Sequence, residues 1–142
     1  MSDPVSGPAP DLFAPIPYAA FLGLRSEVTG GELYGVMPFA EHLVGNPTIP
    51  ALHGGTLGAF LELTAIAELA RRTDGALPRT IGVTVEYLRS GRPRDTYARA
   101  EVKRLGRRIA NVAVEAWQDD RAKPIALLYG RFLLPTGGEA DA

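Results

Sequence analysis

The chain predicts an α+β domain in which one long helix packs against a curved antiparallel sheet. An apolar run with helical spacing extends from Gly54 to about Arg72, and strand-period segments follow it to Leu134, separated by short polar turns. From the start of the body, Pro17 to Leu24 reads as a short helix with Pro17 at a first-turn position. Arg25 to Met37 reads as two strands around the hairpin turn Thr29-Gly30-Gly31. Ala40 to Leu52 reads as a loop, because Gly45, Pro47 and Pro50 disfavour both regular states.

On the long helix Leu57, Leu61, Thr64 and Ala65 share a face, and Phe60, Ile66 and Leu69 widen it. Apolar residues surround nearly all of its first four turns, as on a helix enclosed by protein. Its end turns polar at Glu68, Arg71 and Arg72, and Asp74-Gly75 and Pro78 stop it. Ile81, Val83, Val85 and Tyr87 then alternate with Gly82, Thr84, Glu86 and Leu88, until Ser90-Gly91-Arg92-Pro93 breaks the strand. Tyr97 to Arg104, Ile109 to Gln118 and Pro124 to Leu134 form an antiparallel meander, whose last strand is expected to close the sheet.

With 142 residues the chain suits a single domain with a real core. We expect tails at residues 1–13 and 136–142, the first flexible, and a folded body at 14–135. A formal net charge of −1 gives no electrostatic reason to expect nucleic acid. The absence of cysteine excludes disulfides, thiol catalysis and zinc-thiolate sites. The longest apolar run is far shorter than a membrane span, and Met1 to Pro10 lacks the pattern of a signal peptide. The expectation is a cytoplasmic protein without membrane association.

The stretch richest in chemistry is Leu52-His53-Gly54-Gly55, followed by Glu62 on the helix it opens. Glycines leave the helix N-terminal N–H groups open to a ligand oxygen, where the helix dipole also favours negative charge. A side chain at Gly54 or Gly55 would crowd an acyl group. The i±3 and i±4 neighbours of Glu62 are Gly58, Ala59, Ala65 and Ile66, so the carboxylate has no basic partner on its own helix face. Exposed N–H donors and a secluded carboxylate are what hydrolysis of an acyl group requires.

With this order of elements, the chain resembles the hotdog-fold acyl-CoA thioesterases of the PaaI-like, 4-hydroxybenzoyl-CoA thioesterase type. The residues that carry the resemblance are Leu52-His53-Gly54-Gly55-Thr56, Glu62 nine positions after His53, Thr80, Glu86-Tyr87-Leu88-Arg89, and the hairpin Val102 to Arg108. The resemblance implies a hotdog fold, with the sheet wrapped around the central helix, and hydrolysis of acyl-CoA to free acid and coenzyme A. It implies Glu62 as general base or nucleophile and Gly54 N–H as the donor to the thioester carbonyl. Asn46 is the candidate for positioning water or substrate from the preceding loop, and Thr80 matches a hydroxyl residue kept near the acid. His53 belongs to the same set, as a residue that orients the turn. Gly55 is expected to lie beside the acyl group. Arg89, Arg104, Arg107 and Arg108 are candidates for the phosphates of coenzyme A.

No cofactor is expected beyond the coenzyme A of the substrate, and His42 and His53 alone make no recognised metal spacing. Gly54 and Glu62 are eight residues apart, roughly 12 Å along a helix and about 80° around it. One helix can hardly place both on one carbonyl. Two antiparallel helices across a two-fold axis can, so we expect a homodimer with shared sites; the resemblance implies the same assembly, with a dimer of dimers beyond it. Two other readings stay open: a hotdog domain that binds acyl-CoA without catalysis, and a hydroxyacyl-thioester dehydratase. The dehydratase would want a histidine where this loop has Gly45-Asn46-Pro47.

Overall fold

The computed structural model describes residues 11–135. Most of both expected tails, residues 1–10 and 136–142, lies outside the described residues. The body begins earlier than residue 14. Asp11 Oδ1 accepts the Phe13 N–H at 3.0 Å, and the turn this makes delivers Phe13 into the core, where it is 2% exposed. The Pro- and Ala-rich composition of the first residues conceals this anchor.

Helix α1 spans Pro17–Leu22 and ends at Gly23, whose φ of 74° closes the last turn. Strands β1 (Arg25–Thr29) and β2 (Glu32–Met37) form a hairpin. Two short strands, β3 (Val44–Asn46) and β4 (Ala51–Leu52), precede helix α2 (Gly54–Arg71). Strands β5 (Arg79–Tyr87), β6 (Thr96–Leu105), β7 (Ile109–Trp117) and β8 (Ala126–Leu133) complete the chain. The main sheet is antiparallel throughout, in the order β1-β2-β6-β7-β8-β5.

Two expectations about connectivity need correction. The segment from Ala40 to Leu52 is not an irregular loop. It holds a 3-10 turn at Glu41–Leu43 and the β3–β4 pair, with an irregularity in register between Val44 and Asn46. Gly45 sits in that irregularity, and Pro47 and Pro50 fall in the turn, so neither proline removes a ladder hydrogen bond. Nor does the last strand close the sheet. Strand β8 is internal, and β5 takes the edge beside it, with Arg79 opposite Leu133 and Tyr87 opposite Ala126. Short turns keep β6, β7 and β8 adjacent, and β2 occupies the free side of β6. The strand leaving the helix is left with the outer side of β8.

Alternate residues of the sheet point at α2. Ala98 and Ala100 of β6, Ala110, Val112, Val114 and Ala116 of β7, and Leu128 and Phe132 of β8 are buried there with Phe60, Leu61, Ala65 and Leu69 of the helix. The many alanines let the helix sit close, and each large side chain so buried contributes about 1.5–3 kcal/mol. Gly35 of β2 shows how close: a Cβ there would lie 2.8 Å from Thr64 Oγ1 and 3.1 Å from a Phe60 ring carbon. The Thr64 hydroxyl itself donates to the Phe60 carbonyl at 2.8 Å.

Glu68, read from the sequence as part of a polar helix end, is 3% exposed. Arg72 Nε donates to its Oε2 at 2.7 Å, and the Arg71 guanidinium reaches both of its oxygens. Spacings of three and four residues let both arginines fold back onto the acid, so its charge is buried with partners.

Strand β5 differs from the rest of the sheet. Its side chains are exposed along nearly its whole length, with Ile81 at 45% and Val83 at 39%. It thus presents unpaired backbone groups together with apolar side chains. No helix among the described residues is long and apolar enough to cross a membrane.

Candidate active site

Helix α2 and strand β5 run antiparallel, and their facing residues form a ladder. Gly54 meets Tyr87, whose hydroxyl donates to the Gly54 carbonyl at 2.8 Å. A Cβ at Gly58 would lie 3.3 Å from the Tyr87 oxygen and 3.8 Å from Val85. Glu62 meets Thr80, whose hydroxyl donates to Glu62 Oε2 at 2.6 Å. Residues 54, 58 and 62 recur at four-residue steps, so glycine, glycine and glutamate line one edge of the helix. The two glycines let β5 approach, and the third position carries the acid.

The helix N-terminus leaves several N–H groups without intrahelical partners, and the residues around it account for all but one. His53 is the N-cap, with its backbone at φ −68° and ψ 133°. Its Nδ1 accepts the Gly55 N–H at 2.8 Å, which in the neutral ring places the proton on Nε2. The Thr56 and Leu57 N–H groups donate to the His53 carbonyl at 3.0 and 3.3 Å. Among the described residues, the Gly54 N–H alone of this turn has no acceptor. His53 is held in turn by its own N–H, which donates to the Leu43 carbonyl at 2.8 Å. The loop packs tightly there, since a Cβ at Gly45 would lie 2.7 Å from the His53 Cα.

The structure therefore sorts the residues singled out from the sequence. Gly54 offers a free donor, and Gly55 gives its N–H to the cap. Thr80 and Glu62 are brought together. Asn46 Oδ1 accepts the Thr48 N–H at 3.0 Å and shapes the turn at Pro47. Arg89 lies beside Gly54 and donates to the Pro124 carbonyl at 2.6 Å. Leu52, Gly54, Leu57, Tyr87, Leu88 and Arg89 line a cleft of about 330 Å³ there. A neighbouring cleft of about 550 Å³ shares Arg89 and adds Arg92 and Lys123. Arg104, Arg107 and Arg108 sit elsewhere. Their hairpin precedes Ile109, which pairs with Leu133, which pairs with Arg79, so they lie at the Thr80 end of the sheet. Within one protomer the length of β5, roughly 30 Å, separates them from Arg89. No group of His, Asp and Glu side chains suited to a metal occurs among the described residues.

Two residues of the ladder were not singled out as site residues from the sequence: Gly58, and Tyr87 as a partner of the helix start. The four-residue recurrence of Gly54, Gly58 and Glu62 was the signal for the first. Nothing local signals the second, because Tyr87 reaches Gly54 only through the pairing of β5 with β8.

Comparison with known proteins gives the family. A family model described as the thioesterase superfamily matches residues 50–125, which takes in Gly54, Glu62, Thr80, Tyr87 and all four candidate arginines but not Asn46. A solved protein from Chromobacterium violaceum is 37% identical, over 90% of this chain and 89% of that one, with a TM-score of 0.70. A phenylacetic acid degradation-related protein from Ralstonia eutropha JMP134 is 27% identical over 90% of this chain and 92% of its own, with a TM-score of 0.70. A Bacillus halodurans protein solved with CoA is 22% identical over 83% of this chain and 78% of its own, with a TM-score of 0.73. No curated protein matches. The antiparallel sheet around one long helix is the hotdog fold, and the chain belongs to the thioesterase superfamily.

Proposed function

We propose that the protein is an acyl-CoA thioesterase that works as a homodimer with two shared sites. The observation that carries this reading is the pairing, among the described residues, of one open N–H donor, at Gly54, with one carboxylate free of cationic partners, at Glu62, on the same edge of α2. Membership of the thioesterase superfamily supports thioester hydrolysis in general. The CoA bound to the Bacillus halodurans protein supports coenzyme A as the carrier.

In this reading the thioester carbonyl oxygen lies at Gly54 N–H, where the helix dipole adds to the hydrogen bond as negative charge develops. Glu62 takes a proton from the attacking water, or attacks the carbonyl itself. The Thr80 hydroxyl donates to Oε2, and Oε1 is the oxygen this reading assigns to the proton transfer or attack. With Glu62 as base, the water oxygen bonds to the carbonyl carbon, the C–S bond breaks and the thiolate takes up the proton. With Glu62 as nucleophile, the C–S bond breaks to leave an acyl–Glu62 anhydride, which water hydrolyses, its proton going to the thiolate. Either route gives a carboxylic acid and coenzyme A.

Both groups cannot serve one carbonyl from one helix, because reacting atoms must approach within about 3–3.5 Å. A second copy related by a two-fold axis, with the helices antiparallel, sets Gly54 of one protomer against Glu62 of the partner subunit. The same operation covers the exposed apolar side chains of β5 and its open edge. It also brings the Arg89 end of one β5 to the Arg104–Arg108 end of the other, gathering around one site the cations that a single protomer holds apart.

The test is thiol release from phenylacetyl-, hydroxybenzoyl-, short-chain and medium-chain acyl-CoA, comparing wild type with Glu62→Gln. Turnover by the wild type that falls by about 10²–10⁴-fold in the variant is the expected result. Equal turnover by both contradicts the role of Glu62. Saturable binding of acyl-CoA without thiol release by either would establish a binding domain instead.

A further inference from the structure

The peptide plane between Gly54 and Gly55 is held at both ends. Its carbonyl accepts the Tyr87 hydroxyl at 2.8 Å, and its N–H donates to His53 Nδ1 at 2.8 Å. A Gly-Gly sequence at a helix start has the widest backbone freedom of any pair, so this plane is the one in α2 least constrained by its own residues. The next peptide N-terminal to it carries the Gly54 N–H, and the torsions at Gly54 link the two.

We infer that Tyr87 is a positioning residue for the oxyanion donor. Its hydroxyl and His53 Nδ1 together clamp the Gly54–Gly55 peptide, so that the one open N–H of the turn keeps a fixed direction. The inference rests on the proposed thioester hydrolysis for its catalytic consequence, but the clamp itself is a matter of local geometry. Tyr87 is suited to the role. The β5–β8 pairing holds its backbone opposite Ala126, and the next two N–H groups, of Leu88 and Arg89, both donate to the Ile125 carbonyl, at 2.8 and 3.1 Å. Its ring rests in the notch left by two glycines: a Cβ at Gly54 would lie 3.3 Å from a ring carbon, and one at Gly58 3.3 Å from the hydroxyl. A side chain at either position would require the ring to give by a few tenths of an ångström. Tyr87 is nevertheless 54% exposed, and it also walls the cleft beside Gly54, so the side chain that sets the donor borders the space for substrate.

Tyr87→Phe removes the hydroxyl and keeps the ring, which separates positioning from packing. A donor present but misdirected weakens stabilisation of the transition state without changing ground-state binding. We expect kcat for a good acyl-CoA substrate to fall about tenfold, with KM changed less than twofold, a fraction of the loss caused by removing an oxyanion donor outright. Combining Tyr87→Phe with His53→Ala should lower kcat by less than the product of the single effects, because both act on one peptide. An unchanged kcat in Tyr87→Phe, or a raised KM at unchanged kcat, overturns the inference and leaves the ring as a cleft wall only. Hydrogen exchange at the Gly55 amide reads the clamp independently of turnover. Exchange should quicken severalfold in Tyr87→Phe; an unchanged rate overturns the clamp, whereas absence of turnover in the wild type would count against the hydrolase reading alone.

Discussion

Helix α2 carries two glutamates six residues apart whose surroundings could hardly differ more. Glu68, at the C-terminal end, is 3% exposed and has both oxygens taken by the guanidinium groups of Arg71 and Arg72. Glu62, near the middle, is half-buried and has one hydroxyl, from Thr80, on one oxygen. A carboxylate enclosed by two cations has its lone pairs committed and its charge neutralised, so it serves the fold. A carboxylate held by a single neutral donor keeps an oxygen free, which is what a role in proton transfer requires. Burial alone singles out Glu68; the identity of the partners points instead to Glu62 as the candidate catalytic acid.

The comparison can be broken by removing the charge at each position in turn. The largest expected effect is on Glu62→Gln, with its 10²–10⁴-fold loss of thiol release. The amide still accepts the Thr80 hydrogen bond, so thermal stability should stay close to wild type. Glu68→Gln should do the reverse. It leaves two arginines facing a neutral group, and because both guanidiniums are partly exposed we expect a loss of about 1–2 kcal/mol rather than the larger penalty of a fully buried pair. That corresponds to a fall of several degrees in Tm by thermal unfolding, with turnover per folded molecule retained. If Glu68→Gln abolished turnover without unfolding the protein, the division of roles would be wrong. The smallest effect is on Thr80→Val, which keeps the side-chain shape and removes the donor to Glu62 Oε2. We expect kcat to fall by about three- to tenfold, with KM little changed. A Thr80→Val variant with wild-type kcat would reduce that hydrogen bond to a strand-edge contact.

Much of this was legible in the chain because it is local. The apolar surround from Leu57 to Leu69, the stop at Asp74-Gly75 and the turns between Tyr97 and Leu134 are short-range patterns, and they define the helix and the meander. The interval from His53 to Glu62 is likewise local, and it singles out the candidate acid and the candidate glycine donor. Long-range features were not legible. The edge position of β5 follows from which sheet edges the meander and the β1–β2 hairpin leave open. The contact between Tyr87 and Gly54 spans 33 residues and exists only through that edge. The burial of Glu68 reflects two side chains folding back on it, which a polar helix end does not reveal. Asn46 shows the opposite case: an asparagine before a proline has a ready turn-forming use, and here its side-chain oxygen has taken it. Phe13 was masked by a composition typical of a tail, although one aspartate two residues earlier sets the turn that buries it.

The central claim is that Gly54 and Glu62 meet across a two-fold axis, and subunit complementation tests it most directly. Gly54→Pro removes the N–H while suiting a first helical position, and His53 already has backbone angles that a residue before proline accepts. Each single variant, Gly54→Pro and Glu62→Gln, should be nearly inactive. When the two are mixed in equal amounts and allowed to exchange subunits, half of the dimers become heterodimers, each with one intact site. The account predicts recovery of about a quarter of wild-type thiol release. No recovery, with heterodimers demonstrably formed, would place both groups in one protomer and contradict the shared site.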